Sequence, residues 1–315
     1  MKIWLLTDDR RGNVNQLLGV AEALNEPFEC KEIRYTKWVK IPNGLRGSSL
    51  LGLDRASRER IKPPFPDVVI SAGRRSYPVA LYIQRVSGKK TKVVQLMNPG
   101  AYAFRRADLI VLPSHDKKTI YTKNVLRVLG APHRTTADRL AAEKEIWEPK
   151  FKKYPAPRLS VIVGGATKDK PFTLEMGKTL VQEIKKMKPK SILLTTSRRT
   201  PNNVIALLQK ELSFCPTFFY RFGDKGENPY FGLLACADKI VVTGDSISMC
   251  TECCATNVPV FIFAPDDMIG DKHKRFLTAL FKAGYATPLG EKQTHQSNRP
   301  LNPADDIARA IKKLK

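Results

Sequence analysis

The chain has 315 residues, 42% hydrophobic and 27% charged, with 22 Pro and 19 Gly scattered along it. That length predicts two domains of roughly 150 residues each, and the composition excludes disordered, collagen-like and low-complexity chains. Lys and Arg number 54 against 30 Asp and Glu, a formal charge of +24 that predicts attraction to something anionic.

In chain order, residues 2–6 read as a buried strand, 7–15 as a polar turn, and 16–24 as a helix with Leu17, Val20, Ala21 and Leu24 on one stripe. A second strand is expected over 28–35. Between Lys31 and Arg106 stand 17 Lys and Arg against 4 Asp and Glu, so this quarter of the chain carries thirteen of the excess positive charges. Within it, Lys37-Trp38-Val39-Lys40, then Leu50, Leu51 and Leu53, then Arg55, Arg58, Arg60 and Lys62 mix apolar with basic residues, as segments at an anionic membrane surface do. The competing reading is a solvated face whose leucines pack inward. Nucleic acid is disfavoured as a partner, because no zinc-finger spacing, RNP-like aromatics or helix-turn-helix signature accompanies the charge.

Further strands follow at 67–71, 92–96 and 109–112, with a helix over 79–86. A helix over 136–153, closed by Tyr154-Pro155-Ala156-Pro157, marks a linker. The pattern then begins again: strands over 159–163, 191–195, 218–222, 239–242 and 258–263, with helices over 174–187, 204–212 and 230–237. Repeated βα units predict an α/β protein of two Rossmann-like, doubly wound parallel-sheet domains facing a cleft. The domains are expected over 1–153 and 158–302, with a separate closing helix over 303–315.

No stretch approaches the roughly 20 apolar residues of a spanning helix, so a cytoplasmic protein is expected, peripheral at most to the inner membrane face. Six unevenly spaced cysteines predict reduced thiols rather than a disulfide framework. Cys250 and Cys253, three apart, read better as small hydrophobes than as a metal or redox pair, and no metal site is expected.

Ligands of such sheets bind beyond the C-terminal strand ends. Gly164-Gly165-Ala166-Thr167 permits close backbone approach and open amides for a diphosphate, or simply turns the chain. Thr196, Ser197 and Arg198 suit phosphate oxygens, or cap a helix with solvated arginines. Asn228 before Pro229 serves a ligand or caps the next helix. The strongest signal is Asp245, Ser246, Ser248 and Met249 followed by Glu252. Hydroxyls and amides at a helix start can hold phosphate, and a carboxylate one turn in can grip a ribose diol.

That layout resembles glycosyltransferases of the GT-B fold. Trp4 to Asp8 with Gly12, Asn15 and Gln16, then Ala72 to Arg75, Gln95 with Asn98-Pro99, Pro113 to Asp116, Gly130 to Arg134, Thr195 to Pro201, Gly226 to Tyr230, and Asp245-Ser246 through Glu252 together resemble the mitochondrial-fission "elongated mitochondria" family. The resemblance spans nearly the whole chain. It implies a nucleotide-sugar donor in the second domain, no further cofactor, and an acceptor side carrying Gly12, Asn15, Gly73, Arg74 and Asn98. An inverting transfer needs a base there, for which Asp8 and His115 are the candidates. Asp8 could instead cap the turn at Gly12. The function expected is a hexosyltransferase-like enzyme acting on a membrane or envelope acceptor. The alternative, implied by plant members that recruit a dynamin-related protein, is a non-catalytic adaptor with a protein partner.

Overall fold

The computed structural model describes residues 1–100, 104–116, 122–167, 169–293 and 297–314. Two compact units form, Met1–Arg134 with Asn302–Lys315, and Thr135–Leu301. In the first, β1 (Ile3–Thr7), α1 (Arg11–Leu24) and β2 (Phe28–Glu32) lead to α2 (Asn43–Arg46) and α3 (Arg55–Glu59). Then come β3 (Val68–Ala72), α4 (Gly73–Val86), β4 (Lys92–Leu96), β5 (Leu109–Pro113) and β6 (Val125–Val128). All six strands are parallel in the order β2-β1-β3-β4-β5-β6. Ile3 and Leu5 pack on one face of this sheet, Trp4 and Leu6 on the other. A central parallel strand is covered on both sides, which is why β1 shows an unbroken apolar run rather than alternation.

The second unit opens with α5 (Ala137–Phe151) and β7 (Arg158–Val163). It continues through α6 (Leu174–Lys186), β8 (Ser191–Thr196), α7 (Asn202–Glu211), β9 (Thr217–Tyr220), α8 (Tyr230–Ala235), β10 (Lys239–Thr243), α9 (Ile247–Cys253), β11 (Val260–Phe263), α10 (Asp271–Lys282) and β12 (Thr287–Pro288). Its sheet is again parallel, in the order β12-β11-β10-β7-β8-β9. The last helix, α11 (Pro303–Lys312), returns to the first unit, where Ile307 and Ile311 join the cluster of Leu17, Val20 and Leu24 on α1.

The two doubly wound parallel sheets are as the alternating pattern predicts. The division differs: it falls after Arg134 rather than in the 154–157 segment, and the closing helix expected over 303–315 is present as α11 but belongs to the first unit. Packing explains both. Trp147 of α5 sits where a Cβ on Gly232 of α8 would lie 2.2 Å from its ring, and Phe151 stacks edge-on against Phe218 at 5.0 Å. α5 is thus fastened to the second sheet, and α11 to α1.

Helix α4 begins at Gly73, six residues before the expected start, although Pro78 stands inside it. A proline there has no N–H for the carbonyl of Arg74. Asn43 of α2 supplies the missing donor, its Nδ2 reaching Arg74 O at 2.9 Å.

Candidate functional site

In each sheet the strand order reverses once, between β1 and β3 in the first and between β7 and β10 in the second. Such reversal points open crevices at the C-terminal strand ends. In the second unit the crevice is bridged by Asp245, just beyond β10 and only 2% exposed. Gly165 N–H donates to its Oδ2 at 2.9 Å, Thr243 Oγ1 to its Oδ1 at 2.7 Å, and Arg199 Nη2 to Oδ2 at 2.9 Å. Gly164 N–H donates to Thr243 Oγ1 at 2.7 Å. A buried carboxylate needs this many donors and a countercharge. Asp245 therefore ties the loops after β7, β8 and β10 together.

This geometry revises the role of the glycine loop. All four amides of Gly164, Gly165, Ala166 and Thr167 are occupied, the last two by Arg199 O at 3.3 Å and Lys170 O at 2.9 Å. A Cβ on Gly164 would lie 2.1 Å from the Asp245 carboxylate, and one on Gly165 2.1 Å from Arg199 O. The glycines let loops touch one another, and no open amide of this stretch faces a diphosphate. Most of the hydroxyls are engaged too. Thr196 Oγ1 accepts from Phe222 N–H at 3.2 Å, and Ser197 Oγ from Arg199 N–H at 3.2 Å. Ser246 Oγ caps α9 by accepting from Met249 N–H at 3.4 Å, and Asn228 Oδ1 accepts from Tyr230 N–H at 3.1 Å at the start of α8. Arg198 remains exposed, with no ion pair among the described residues, while Ser248 and Met249 are half-buried on the first turn of α9.

Glu252 is different. It is half-buried on α9, and its Oε2 accepts from the Tyr230 hydroxyl of α8, while Oε1 accepts no hydrogen bond among the described residues. Burial pushes its carboxyl up to about 7, against the opposing pull of the Tyr230 hydroxyl and of Arg139 on α5. Burial, then Glu252 itself, pushes the Tyr230 phenol well above its ordinary value. Arg139 lies over the Phe231 ring, 3.8 Å from its centroid. The sequence pattern named Glu252 and missed its supports. Tyr230 was visible only as the residue after Asn228-Pro229, and Arg199 and Thr243 only as neighbours of better motif positions.

In the first unit, Asp8 follows β1 and meets Arg75 of α4 across the reversal point. Arg75 Nη2 reaches Asp8 Oδ2 at 2.8 Å and also bonds Asp9, while Arg10 N–H donates to Asp8 Oδ1 at 3.0 Å. Arg75 also lies 4.7 Å from the centroid of the Tyr35 ring. A cavity of about 550 Å³ adjoins this cluster, with Thr7, Asp8, Tyr35 and Arg75 in its wall. His115 is buried two residues beyond β5. Gly12 and Asn15 are exposed at the start of α1, with open space around Gly12. Gly73 has φ +72 at the head of α4, which only a glycine adopts readily. Arg74 does not point outward as the acceptor reading expects. Its guanidinium donates to Ile41 O and Val39 O, both at 3.2 Å. Asn98 Oδ1 accepts from Gly100 N–H at 2.8 Å, closing a local turn.

All six cysteines carry free thiols, and Cys250, Cys253 and Cys254 are buried in and beside α9. Among the described residues no group of three or more His, Cys, Asp or Glu is placed to hold a metal ion, and no helix is long and apolar enough to cross a membrane.

Solved structures share the whole of this architecture at low identity. The UDP-GlcNAc 2-epimerase of Neisseria meningitidis bound to UDP-GlcNAc matches with a TM-score of 0.56 and 13% identity, over 100% of this chain and 99% of that one. MurG of Acinetobacter baumannii matches with a TM-score of 0.52 and 14% identity, over 99% of each. Two parallel doubly wound sheets with these neighbours define a protein of the GT-B fold. Residues 11–314 match the family described as Mitochondrial fission ELM1, and the chain belongs to it. An uncharacterized protein of Rickettsia prowazekii (strain Madrid E) is 30% identical over 99% of this chain and 98% of its own. The mitochondrial fission protein ELM1 of Arabidopsis thaliana is 25% identical over 90% of this chain and 73% of its own.

Proposed function

We propose that the chain is a nucleotide-sugar-dependent glycosyltransferase that delivers a hexosyl group to a hydroxyl of a membrane or envelope acceptor. The observation that carries this reading is Glu252, a desolvated carboxylate held by Tyr230 on one oxygen and open on the other, at the C-terminal edge of a parallel sheet. The open oxygen can accept a hydrogen bond from a ribose hydroxyl. The N. meningitidis neighbour, solved with UDP-GlcNAc on the same fold, supports a nucleotide-sugar as the ligand.

In the reaction the acceptor oxygen bonds to the anomeric carbon as the bond from that carbon to the diphosphate breaks. The nucleoside diphosphate leaves with the electron pair, and a base takes the hydroxyl proton. Asp8 and His115 are the proposed bases, in the first unit. Asp8 is held by Arg75 in an ion pair at 2.8 Å. Arg198 supplies the cation for the leaving diphosphate. The diphosphate leaves as an anion, so Arg198 is worth more to the transition state than to the ground state.

Thermal-shift screening and calorimetry with nucleoside diphosphates and their sugars test the reading. A saturating ligand stabilises the folded chain, and Glu252→Ala weakens binding by about 1.5–3 kcal/mol with the fold intact. No stabilisation by any of them points to the adaptor instead. Unchanged affinity in a folded Glu252→Ala variant removes Glu252 from the site.

A further inference from the structure

We propose that residues 37–55 form a lobe that docks on an anionic lipid bilayer, inserting Trp38, Leu45 and Leu51. Its surface combines buried polar side chains with exposed large apolar ones. Two polar side chains face inward, and one of them, Arg46, is only 2% exposed, yet it is a guanidinium. Its Nε donates to Leu51 O at 3.1 Å and its Nη2 to Arg75 O at 3.1 Å. Asn43, also buried, donates to Arg74 O and Pro99 O, both at 2.9 Å. Arg74 in turn holds Val39 O and Ile41 O. Three large apolar side chains meanwhile face outward: Trp38 is 53% exposed, Leu45 79% and Leu51 38%.

The stretches that carry these three lie together. Arg46 bonds the carbonyl of Leu51, and a Cβ on Gly52 would lie 3.1 Å from Val39 Cα and 3.4 Å from the Trp38 carbonyl carbon. Thr36 N–H donates to Gly52 O at 2.9 Å. The 38–41, 45–46 and 51–52 stretches are therefore stitched to one another. The pattern-based expectation of Leu50, Leu51 and Leu53 changes accordingly. Leu53 is buried and Leu50 packs on the core, while Leu45 joins the outward set.

Charge selects the partner. Lys37 lies beside the Trp38 ring, its Nζ 5.9 Å from the centroid. Lys40 and Arg55 are exposed and make no ion pair among the described residues. Exposed apolar side chains on a segment that also carries exposed, unpaired cations match the boundary between acyl chains and anionic headgroups. The docking stands on this surface alone and does not depend on the transferase reading.

Sedimentation of the full chain with vesicles of phosphatidylcholine, alone or with 30% phosphatidylglycerol, tests it. Trp38 is the reporter, since Trp4 and Trp147 are buried. Its emission should shift to the blue on anionic vesicles, and doxyl-labelled lipid should quench it. Lys37→Glu with Lys40→Glu should weaken partitioning at least about tenfold, and raised salt should weaken it in the wild type. Trp38→Ala, Leu45→Ser and Leu51→Ser together should weaken it by a similar factor and abolish the salt-resistant fraction. All five sites are exposed or on the lobe's rim, and unchanged circular dichroism checks the fold. The proposal is overturned if neutral and anionic vesicles bind equally, or if neither binds. It is also overturned if Lys185→Glu with Lys186→Glu in the second unit has the same effect as Lys37→Glu with Lys40→Glu, or if RNA displaces the protein from vesicles at equal phosphate.

Discussion

At Glu252 the folded chain holds a proton that an unfolded chain releases. The folded carboxyl lies at about 7 against an ordinary 4.5, because burial disfavours the charge. Between those two values the folded state binds more protons than the unfolded one, so stability from this group falls as pH rises from about 4.5 to 7 and is flat above that. A tenfold change in proton affinity is worth about 1.4 kcal/mol, so the loss is on the order of 3 kcal/mol. Glu252→Gln, which stays neutral, should lack this slope. Urea unfolding of both proteins at pH 5 and pH 8 should show the wild type losing more stability by that amount, and parallel losses would place Glu252 in water. Glu252 was legible in the sequence because a carboxylate one turn into a helix after a glycine-bearing strand end is a local pattern. Tyr230 and Arg139 were not legible. They come from α8 and α5, and only tertiary packing brings them to α9.

Among the elements, α4 shows why boundaries are harder to read than cores. Gly73 and Pro78 are both punctuation marks for a helix, yet the helix runs through them because Asn43, thirty residues upstream, fills the carbonyl that Pro78 leaves open. Asn43→Ala should strand two buried carbonyls, Arg74 O and Pro99 O, and destabilise the chain by about 1–3 kcal/mol. Pro78→Ala restores an N–H to the helix. Asn43→Ala should therefore cost measurably less in a Pro78→Ala background, and an additive double-mutant cycle would show that the two sites do not share that carbonyl. The glycine loop after β7 teaches the same lesson. Its composition signals close approach, and what approaches is Asp245 and the backbone of Arg199. Pattern alone cannot distinguish a neighbouring loop from a ligand.

At the scale of the molecule, the two parallel sheets were readable because each βα unit repeats a short apolar run and an amphipathic helix. The division between them was not. The apolar stripe of α5 is short, with only Trp147 and Phe151 buried, and nothing in the sequence of α11 says which sheet it joins. Cutting the chain after Leu301 should expose Leu17, Val20 and Leu24 of α1. Hydrogen exchange should then show protection lost across β1 to β6 and kept across β7 to β12, and equal loss in both would contradict the packing described. The return of α11 also fixes an order of events during synthesis. Residues 135–301 are made before α11, so the stripe on α1 stays uncovered while the ribosome adds them. At roughly 5–20 residues per second that interval is about 10–30 s. For that time the first half of the nascent protein presents a sticky helix to whatever chaperones or stray chains surround it, and the unit translated first is the one that finishes last.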